Sequence, residues 1–458
     1  MSESITVSTI TREGVDNLSI DRGEPEWLKV LRVNALEKFL QSPNPSIKSD
    51  TWRKTRVDKL NLAEIKTSSP AFQCPDGKVG QAVLERFSDR AGAIFSTTGN
   101  SWRVDLDENL EKAGVVFVPI DEAIKNHAEA LKTLFESETQ NETQNVDESK
   151  DKFDWMQEAL FNCGAYLEIP ANLVVEKPFL VVNKLDKGEA GCSLFPRVLI
   201  KAGAHSKISV VNAFVCDNEL DSTVDGDVKK LSLVNARNLI QAEAGSSVSY
   251  IEVQALGDNC FMVGKSTGNV TADANVSTLT VGVGGYQLKS EISTRLIEAG
   301  AHGAMLGVVF GDMNEHMSYN TIQEHAAPNT TSDINFRVAL KDEAVSAYQG
   351  NIKVDKVAQK TNAYQTNKNL LLGKNAKADS IPKLEILAND VKCSHGATVG
   401  PVDQDQVFYL MVRGLDKKTA EELIVAGFFD TVLESLPDKV ANDWIHDLIK
   451  TKIHKERA

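Results

Sequence analysis

From about residue 165 to 395 the chain is a succession of short alternating runs rich in Val, Ile, Ser and Thr, punctuated by Gly and Asn. The runs 173–182, 198–215, 231–254 and 276–288 are examples, and each reads as extended chain. Parallel strands in an ordinary α/β domain are separated by crossover helices. Here the strand count is too high and the helical periodicity too weak for that arrangement. A faint repeat narrows the choice further. Ile200-Lys-Ala-Gly-Ala-His205 precedes a strand at 207–211, Ile240-Gln-Ala-Glu-Ala-Gly245 one at 247–253, and Ile297-Glu-Ala-Gly-Ala-His302 one at 304–310. Small residues fit where a chain turns a sharp corner against a stacked neighbour. The spacing is unequal, which suits an irregular β-solenoid whose coils bury a continuous core. A β-sandwich of many short strands is the competing architecture.

The flanks differ in texture. Glu24-Pro25-Glu26 opens a helix, and Leu28, Leu31, Ala35, Leu36 and Phe39 then recur at helical spacing until Ser42-Pro43-Asn44-Pro45. An apolar run at 115–118 and a helix over 121–135 follow. Residues 136–152, ESETQNETQNVDESKDK, read as a solvated acidic loop or insertion with weak order. After Pro401, residues 405–413, 417–429 and 438–453 read as three helices, placed to cap the open edge of a solenoid. The expected division is a mixed helical region over 1–160, a β core over 161–400 and a helical end over 401–458.

A formal net charge of −14 argues against nucleic-acid binding and against docking on anionic membranes. No window approaches 18 consecutive apolar residues. The first 21 residues lack an apolar centre and carry Glu3, Glu13, Asp16 and Asp21, so neither a secretory signal nor a transit peptide is expected and the expected compartment is cytoplasmic. Cys74, Cys163, Cys192, Cys216, Cys260 and Cys393 are widely spaced, form no CxxC pair and suggest neither disulfides nor structural zinc; at least four of the six read as buried small apolar groups.

Two familiar motifs fail. Gly264-Lys265-Ser266 lacks the glycine five positions upstream and is followed by a strand pattern, so it is no phosphate-binding loop. Gly282-Val283-Gly284-Gly285 runs into Tyr286-Gln287 and does not complete a dinucleotide fingerprint. The informative segment is Asp390-Val-Lys-Cys-Ser-His-Gly-Ala-Thr-Val-Gly400. Cys393 and His395 are two apart, so on a strand they share a face. A thiol beside an imidazole suits a soft or borderline metal or a nucleophile–base pair. A satisfied histidine and a buried cysteine at a domain corner are the bland alternative.

That segment, continued by Asp403-Gln404-Asp405-Gln406-Val407-Phe408-Tyr409-Leu410 and Arg413-Gly414-Leu415, resembles the signature of the SufD family of iron–sulfur cluster assembly proteins. Asn369-Leu370-Leu371-Leu372, Pro382-Lys383-Leu384-Glu385-Ile386, Gly350-Asn351-Ile352-Lys353-Val354, Glu24-Pro25-Glu26-Trp27-Leu28 and Asp50-Thr51-Trp52-Arg53 are similar to further parts of that family. The resemblance implies a right-handed parallel β-helix between helical regions, acting as a non-catalytic scaffold in a complex with SufB and the ATPase SufC. It implies that His395, with Cys393 beside it, helps build a transient iron–sulfur cluster at the junction with SufB. It also implies that the C-terminal helices, including Phe408, Tyr409, Arg413, Leu423 and Phe428, dock the ATPase. ATP belongs to that partner, and no flavin site is fixed. Cys-Ser-His-Gly-Ala at the signature, and the lack of any cysteine between Cys260 and Cys393, favour the SufD over the SufB type.

The rival readings are a cysteine hydrolase built on Cys393 and His395, with Asp390 or Asp403 near in sequence, a carbohydrate-binding or carbohydrate-cleaving β-solenoid, and a homodimeric β-solenoid binding protein. The remaining histidines carry structural expectations. His316 and His325 flank a strand, His205 and His302 are expected at equivalent places after repeat corners, and His446 and His454 lie on an exposed helix.

Overall fold

The computed structural model describes residues 10–49, 51–65, 78–97, 100–144, 150–185, 192–216, 231–436 and 438–454. The chain begins with α1 (Arg12–Arg22) and α2 (Glu26–Gln41), then α3 (Lys78–Arg86), the hairpin β1 (Gly92–Thr97) and β2 (Asn100–Leu106), α4 (Glu108–Lys112), β3 (Val116–Pro119), α5 (Ile120–Asn126), α6 (Ala128–Gln144) and α7 (Lys152–Leu160). The strands that follow are β4 (Cys163–Ile169), β5 (Phe179–Leu185), β6 (Ser193–Leu194), β7 (Pro196–Ala202), β8 (Lys207–Cys216), β9 (Ser232–Ala242), β10 (Ser247–Ala255), β11 (Cys260–Val270) and β12 (Asn275–Gly282). They continue as β13 (Gln287–Leu296), β14 (His302–Gly311), β15 (His316–His325), β16 (Thr331–Leu340), β17 (Val345–Val354), β18 (Asn362–Leu371), β19 (Lys377–Ile386) and β20 (Lys392–Pro401). Helices α8 (Gln404–Val412), α9 (Lys417–Leu433) and α10 (Lys439–His454) close the chain.

The strands form a parallel β-solenoid of about eight turns. Even-numbered strands from β8 to β20, preceded by β5 and the β1–β2 hairpin, make one sheet. Odd-numbered strands from β7 to β19, preceded by β3 and β4, make the other. Each turn therefore gives one strand to each sheet, and the sandwich alternative is excluded by the parallel pairing of successive turns. Alternate residues point inward. In β18 Ala363, Gln365, Asn367 and Asn369 are buried, whereas Asn362, Tyr364 and Lys368 are exposed. Register carries each inward position through the stack: Tyr250, Thr278, Met305, Ile334 and Gln365 form one column. The interior is not wholly apolar. Glu252 is buried there and accepts from Gln254 Nε2 at 2.7 Å, Asn238 Nδ2 at 2.9 Å and Ser266 Oγ at 3.2 Å. Burial raises its carboxyl above the usual range, against those hydrogen bonds.

The long runs expected at 198–215, 231–254 and 276–288 each resolve into two strands and a corner, while the run at 173–182 becomes a strand only at Phe179. One corner is a ladder of left-handed residues, with Asn172, His205, Gly245, Asp273, Gly300, Asn329 and Lys360 all at positive φ. The N–H of His205 donates to Ala244 O, that of Gly245 to Ala272 O, and that of Asp273 to Ala299 O, so each corner hydrogen-bonds to the next. This corrects the expectation for two histidines. His205 occupies the left-handed corner, but its counterpart is Gly300; His302 already begins β14 and meets Thr331 Oγ1 through Nδ1 at 2.7 Å. The shared Gly-Ala-His triplet is offset by two residues between those turns. His325 is structural, as expected: it is buried, with Nδ1 2.8 Å from Thr330 Oγ1 and Nε2 2.8 Å from Ser332 Oγ.

Helices α2, α5, α6 and α7 lie on the outer face of the odd-numbered sheet, while α3 packs on the even-numbered sheet through Val83, Leu84 and the following Phe87. Ala35, Leu36 and Phe39 of α2 share a core with Phe153, Met156 and Leu160 of α7 and with Leu233 and Phe261 of the solenoid. Arg32 is fully buried and forks onto Glu24 with both contacts at 2.8 Å. The helix expected over 121–135 is two helices, broken at His127, whose φ of −128° and ψ of 31° leave the helical region. The acidic stretch 136–152 is not a loop throughout, because α6 continues to Gln144 and α7 starts at Lys152, while 145–149 fall outside the described residues. Glu138 explains the difference. It is buried between Arg197 and Arg237, which outweigh burial and hold its carboxyl well below the usual range.

The C-terminal helices do not cap the solenoid. Val425, Phe429 and Val432 of α9 and Trp444, Ile445 and Ile449 of α10 pack with Leu306, Val308 and Phe310, outward residues of the even-numbered sheet. The apolar stripe of each helix finds its partner on the side of the solenoid and leaves the last turn uncovered. Lys452 at the end of α10 is pinned to the β14–β15 corner, with Nζ 2.7 Å from both Glu315 carboxylate oxygens and 3.4 Å from Asp312 Oδ1. Among the described residues no helix is long and apolar enough to cross a membrane.

Candidate functional site at the open end of the solenoid

Strands β19 and β20 are the last of their sheets, and among the described residues nothing pairs with their outer edges. In β20 the register sets Cys393 on Ala363, His395 on Gln365 and Ala397 on Asn367, all inward positions of β18. Opposite, Ser380, Pro382 and Leu384 of β19 continue the inward positions Tyr348, Gly350 and Ile352 of β17. The two-residue spacing of Cys393 and His395 thus places both on one face, directed into the lumen. Among the described residues no turn is stacked above them, so residues in core positions meet the outside. Cys393 is half-buried against the interior cluster, whereas His395 is exposed.

Burial pushes the Cys393 thiol up from its usual range, and a backbone hydrogen bond involving Ala363 offsets part of the rise. That favours the thiol over the thiolate and weakens the hydrolase reading, which needs a nucleophile, a base and an orienting acid. The two acids near in sequence are engaged elsewhere. Asp390 is ion-paired with Lys360, and Asp403 caps α8 by accepting from Asp405 N at 2.9 Å. Among the described residues no group of three or more His, Cys, Asp or Glu side chains is arranged to hold a metal ion. The chemistry available is therefore a soft sulfur donor and a borderline nitrogen donor, side by side on an open rim. Both are ordinary ligands to iron in a cluster, where imidazole can replace thiolate. The other described cysteines are remote from this rim: Cys163, Cys216 and Cys260 are buried, Cys192 is half-buried, and Cys74 lies outside the described residues.

The second feature is a surface on α8 and α9. Phe408, Tyr409, Met411 and Val412 are exposed, with Phe408 at 66% and Val412 at 68%, and Leu423 is exposed beside them. Val407 and Ala420 hold the inner face of these helices against Leu370 and Leu372. Arg413 donates to Tyr409 OH at 3.0 Å and lies over its ring at 5.1 Å. Phe428 is not on that surface. It is half-buried against Phe429, with the Arg337 guanidinium 5.1 Å from its ring. An exposed apolar patch of this kind marks a contact surface.

Sequence reasoning had no signal for Gln365, directly beneath His395. It is fully buried, and neither its amide nitrogen nor its oxygen has a hydrogen-bond partner. Only the strand register reveals its position.

The family model describing the SufBD core domain of SUF-system iron–sulfur cluster assembly matches residues 185–428, more than half of the chain. The iron–sulfur cluster assembly protein SufD of Bacillus subtilis is 27% identical over 98% of this chain and 99% of its own length. Iron–sulfur cluster assembly SufBD family proteins of Staphylococcus saprophyticus and Staphylococcus aureus are each 24% identical, covering 94% of this chain and 90% of their own lengths.

Proposed function

The chain belongs to the SufBD family of iron–sulfur cluster assembly proteins, and we propose that within that machinery it is a non-catalytic scaffold subunit of the SufD type. The observation carrying this is the placement of Cys393 and His395 at the uncovered end of the lumen. The nascent cluster is the cargo. His395 supplies an imidazole ligand, Cys393 lies ready beside it, and a second solenoid of the SufB type, seated against the free edges of β19 and β20, completes the ligand set. Unpaired edge strands are suited to such pairing.

On this reading residues 401–458 are the docking part. A SufC-type ATPase binds the exposed surface of Phe408, Tyr409, Val412 and Leu423, and ATP is held by that partner. Because α9 and α10 are packed on the even-numbered sheet and pinned through Lys452, movement of the ATPase reaches the solenoid as a coupling between two sites. The 1–160 region braces the odd-numbered sheet through α2 and α7 and the start of the even-numbered sheet through α3, and 161–400 forms the shaft.

The test is anaerobic purification of the tagged protein from its own cells, with identification of co-purifying chains and measurement of iron and sulfide. A SufB-like chain and an ATPase are expected, the ATPase being lost when residues 405–458 are removed. His395→Ala is expected to keep both partners and lose cluster output. Full cluster output from that variant would remove the ligand role, and a protein without partners or iron would remove the scaffold reading.

A further inference from the structure

Gln365 is the one inward residue of β18 beneath the rim pair that has a polar group and no partner for either end of it. Its amide nitrogen and oxygen are both buried and unbonded. Buried polar groups in native proteins are nearly always satisfied, so an orphan of this kind points to a partner engaged in the working state. Its neighbours narrow the choice. Along the column, Gln365 has Ile334 on one side, which offers nothing, and His395 on the other. Across the lumen lies Gly350, where an added methyl would overlap Gln365 Nε2 and approach Tyr348 OH at 2.6 Å. The missing side chain at Gly350 is what leaves room for the amide. Tyr348 OH is already within 2.8 Å of Thr321 Oγ1. The neighbouring inward residues of β18 are committed or apolar. Ala363 lies beneath Cys393, and Asn367, beneath Ala397, accepts from Asn369 Nδ2 at 2.7 Å and donates to Phe336 O at 3.4 Å.

Resting on the reading of His395 given above, we propose that Gln365 is its positioning residue: the carboxamide oxygen accepts the N–H of the inward ring nitrogen and leaves the other, unprotonated nitrogen facing out of the lumen. Adjacent strands are about 4.8 Å apart, so side chains in register lie one above the other and a change of rotamer closes the hydrogen bond. Histidines that bind metals almost always donate their second ring nitrogen to such an acceptor, which fixes tautomer and ring orientation. An amide does this without placing a net charge in the lumen.

The experiment uses the full-length protein labelled with ¹⁵N-histidine, free of iron and partners, at one fixed pH where the imidazole is neutral. Long-range proton–nitrogen spectra report the tautomer of His395, assigned by its loss in His395→Ala. One dominant tautomer is expected in the unmodified protein. Gln365→Leu is expected to return His395 to the mixture shown by free histidine, and Gln365→Glu, which keeps an acceptor, to restore the single form. A free-histidine mixture in the unmodified protein, or the same tautomer in all three, overturns the proposal; if Gln365→Leu does not fold, the unmodified protein and Gln365→Glu decide it. In the assembled complex Gln365→Leu is expected to lower iron retention roughly 10- to 100-fold. The tautomer experiment contains no iron, so its failure leaves the scaffold reading standing on its own test, and failure of that reading leaves the tautomer result intact.

Discussion

Replacing Glu315 by Gln should change how firmly α10 is held, by an amount that depends on pH. The Glu315 side chain is 5% exposed and is chelated by Lys452 at 2.7 Å. Burial raises its carboxyl from 4.5 to about 7, with Lys452 opposing the rise and Asp312 adding to it. In the closed protein the group therefore holds its proton more tightly than when α10 opens and exposes it. Its contribution to closure is fully present below pH 4.5 and is lost as pH rises through 7. At about 1.4 kcal/mol per pH unit the whole span is about 3.5 kcal/mol, of which about 2.5 kcal/mol falls between pH 5 and 8.5. Gln has no such dependence. Amide hydrogen exchange along α10 gives the free energy of local opening. Relative to the unmodified protein, Glu315→Gln should gain about 2.5 kcal/mol of α10 protection on going from pH 5 to 8.5. The comparison cancels the intrinsic pH dependence of exchange, which both proteins share. An equal difference between the two proteins at both pH values would show that Glu315 does not titrate in this window, and the burial argument would fall.

Other expectations are simpler to check. Burial holds His325 down at about 4, so its contribution is present above 6.5 and lost as pH falls through 4. Between pH 7.5 and 5 this amounts to about 2 kcal/mol, and urea unfolding of His325→Gln should lack that part of the slope. Phe408→Asp and Leu423→Asp alter exposed positions, so stability should change by no more than about 0.5 kcal/mol while co-purification of the ATPase is lost. Retention of the ATPase by both variants would move the docking surface elsewhere.

What could be read from the sequence was local. The spacing of Cys393 and His395 gave a shared face, because strand alternation needs only two residues to declare itself. Small residues at the corners gave the solenoid, although the triplets at His205 and His302 aligned with the wrong frame. Composition cannot tell which residue of a corner takes positive φ. The acidic stretch misled for another reason. Glu138 is paired with Arg197 and Arg237, 59 and 99 residues further along, so its burial has no trace in the polar residues around it. In α1, missed altogether, the signals were present: Thr11 accepts from Gly14 N at the start and Gly23 takes the left-handed turn at the end. The lateral seating of α9 and α10 was hidden because an amphipathic helix declares that it has a partner and not which surface that partner is.

The stack of strands also serves as a ruler. The β14–β15 corner that holds Lys452 and the rim that carries His395 are separated by three strand-to-strand steps, from β14 through β16 and β18 to β20. At about 4.8 Å per step the anchor and the rim stand about 14 Å apart along the axis. A duplicated turn between them would lengthen that reach by one graduation and present the same imidazole in the same orientation. Lineages that gained or lost a turn would change the span between helix anchor and rim in discrete increments, with no redesign of either.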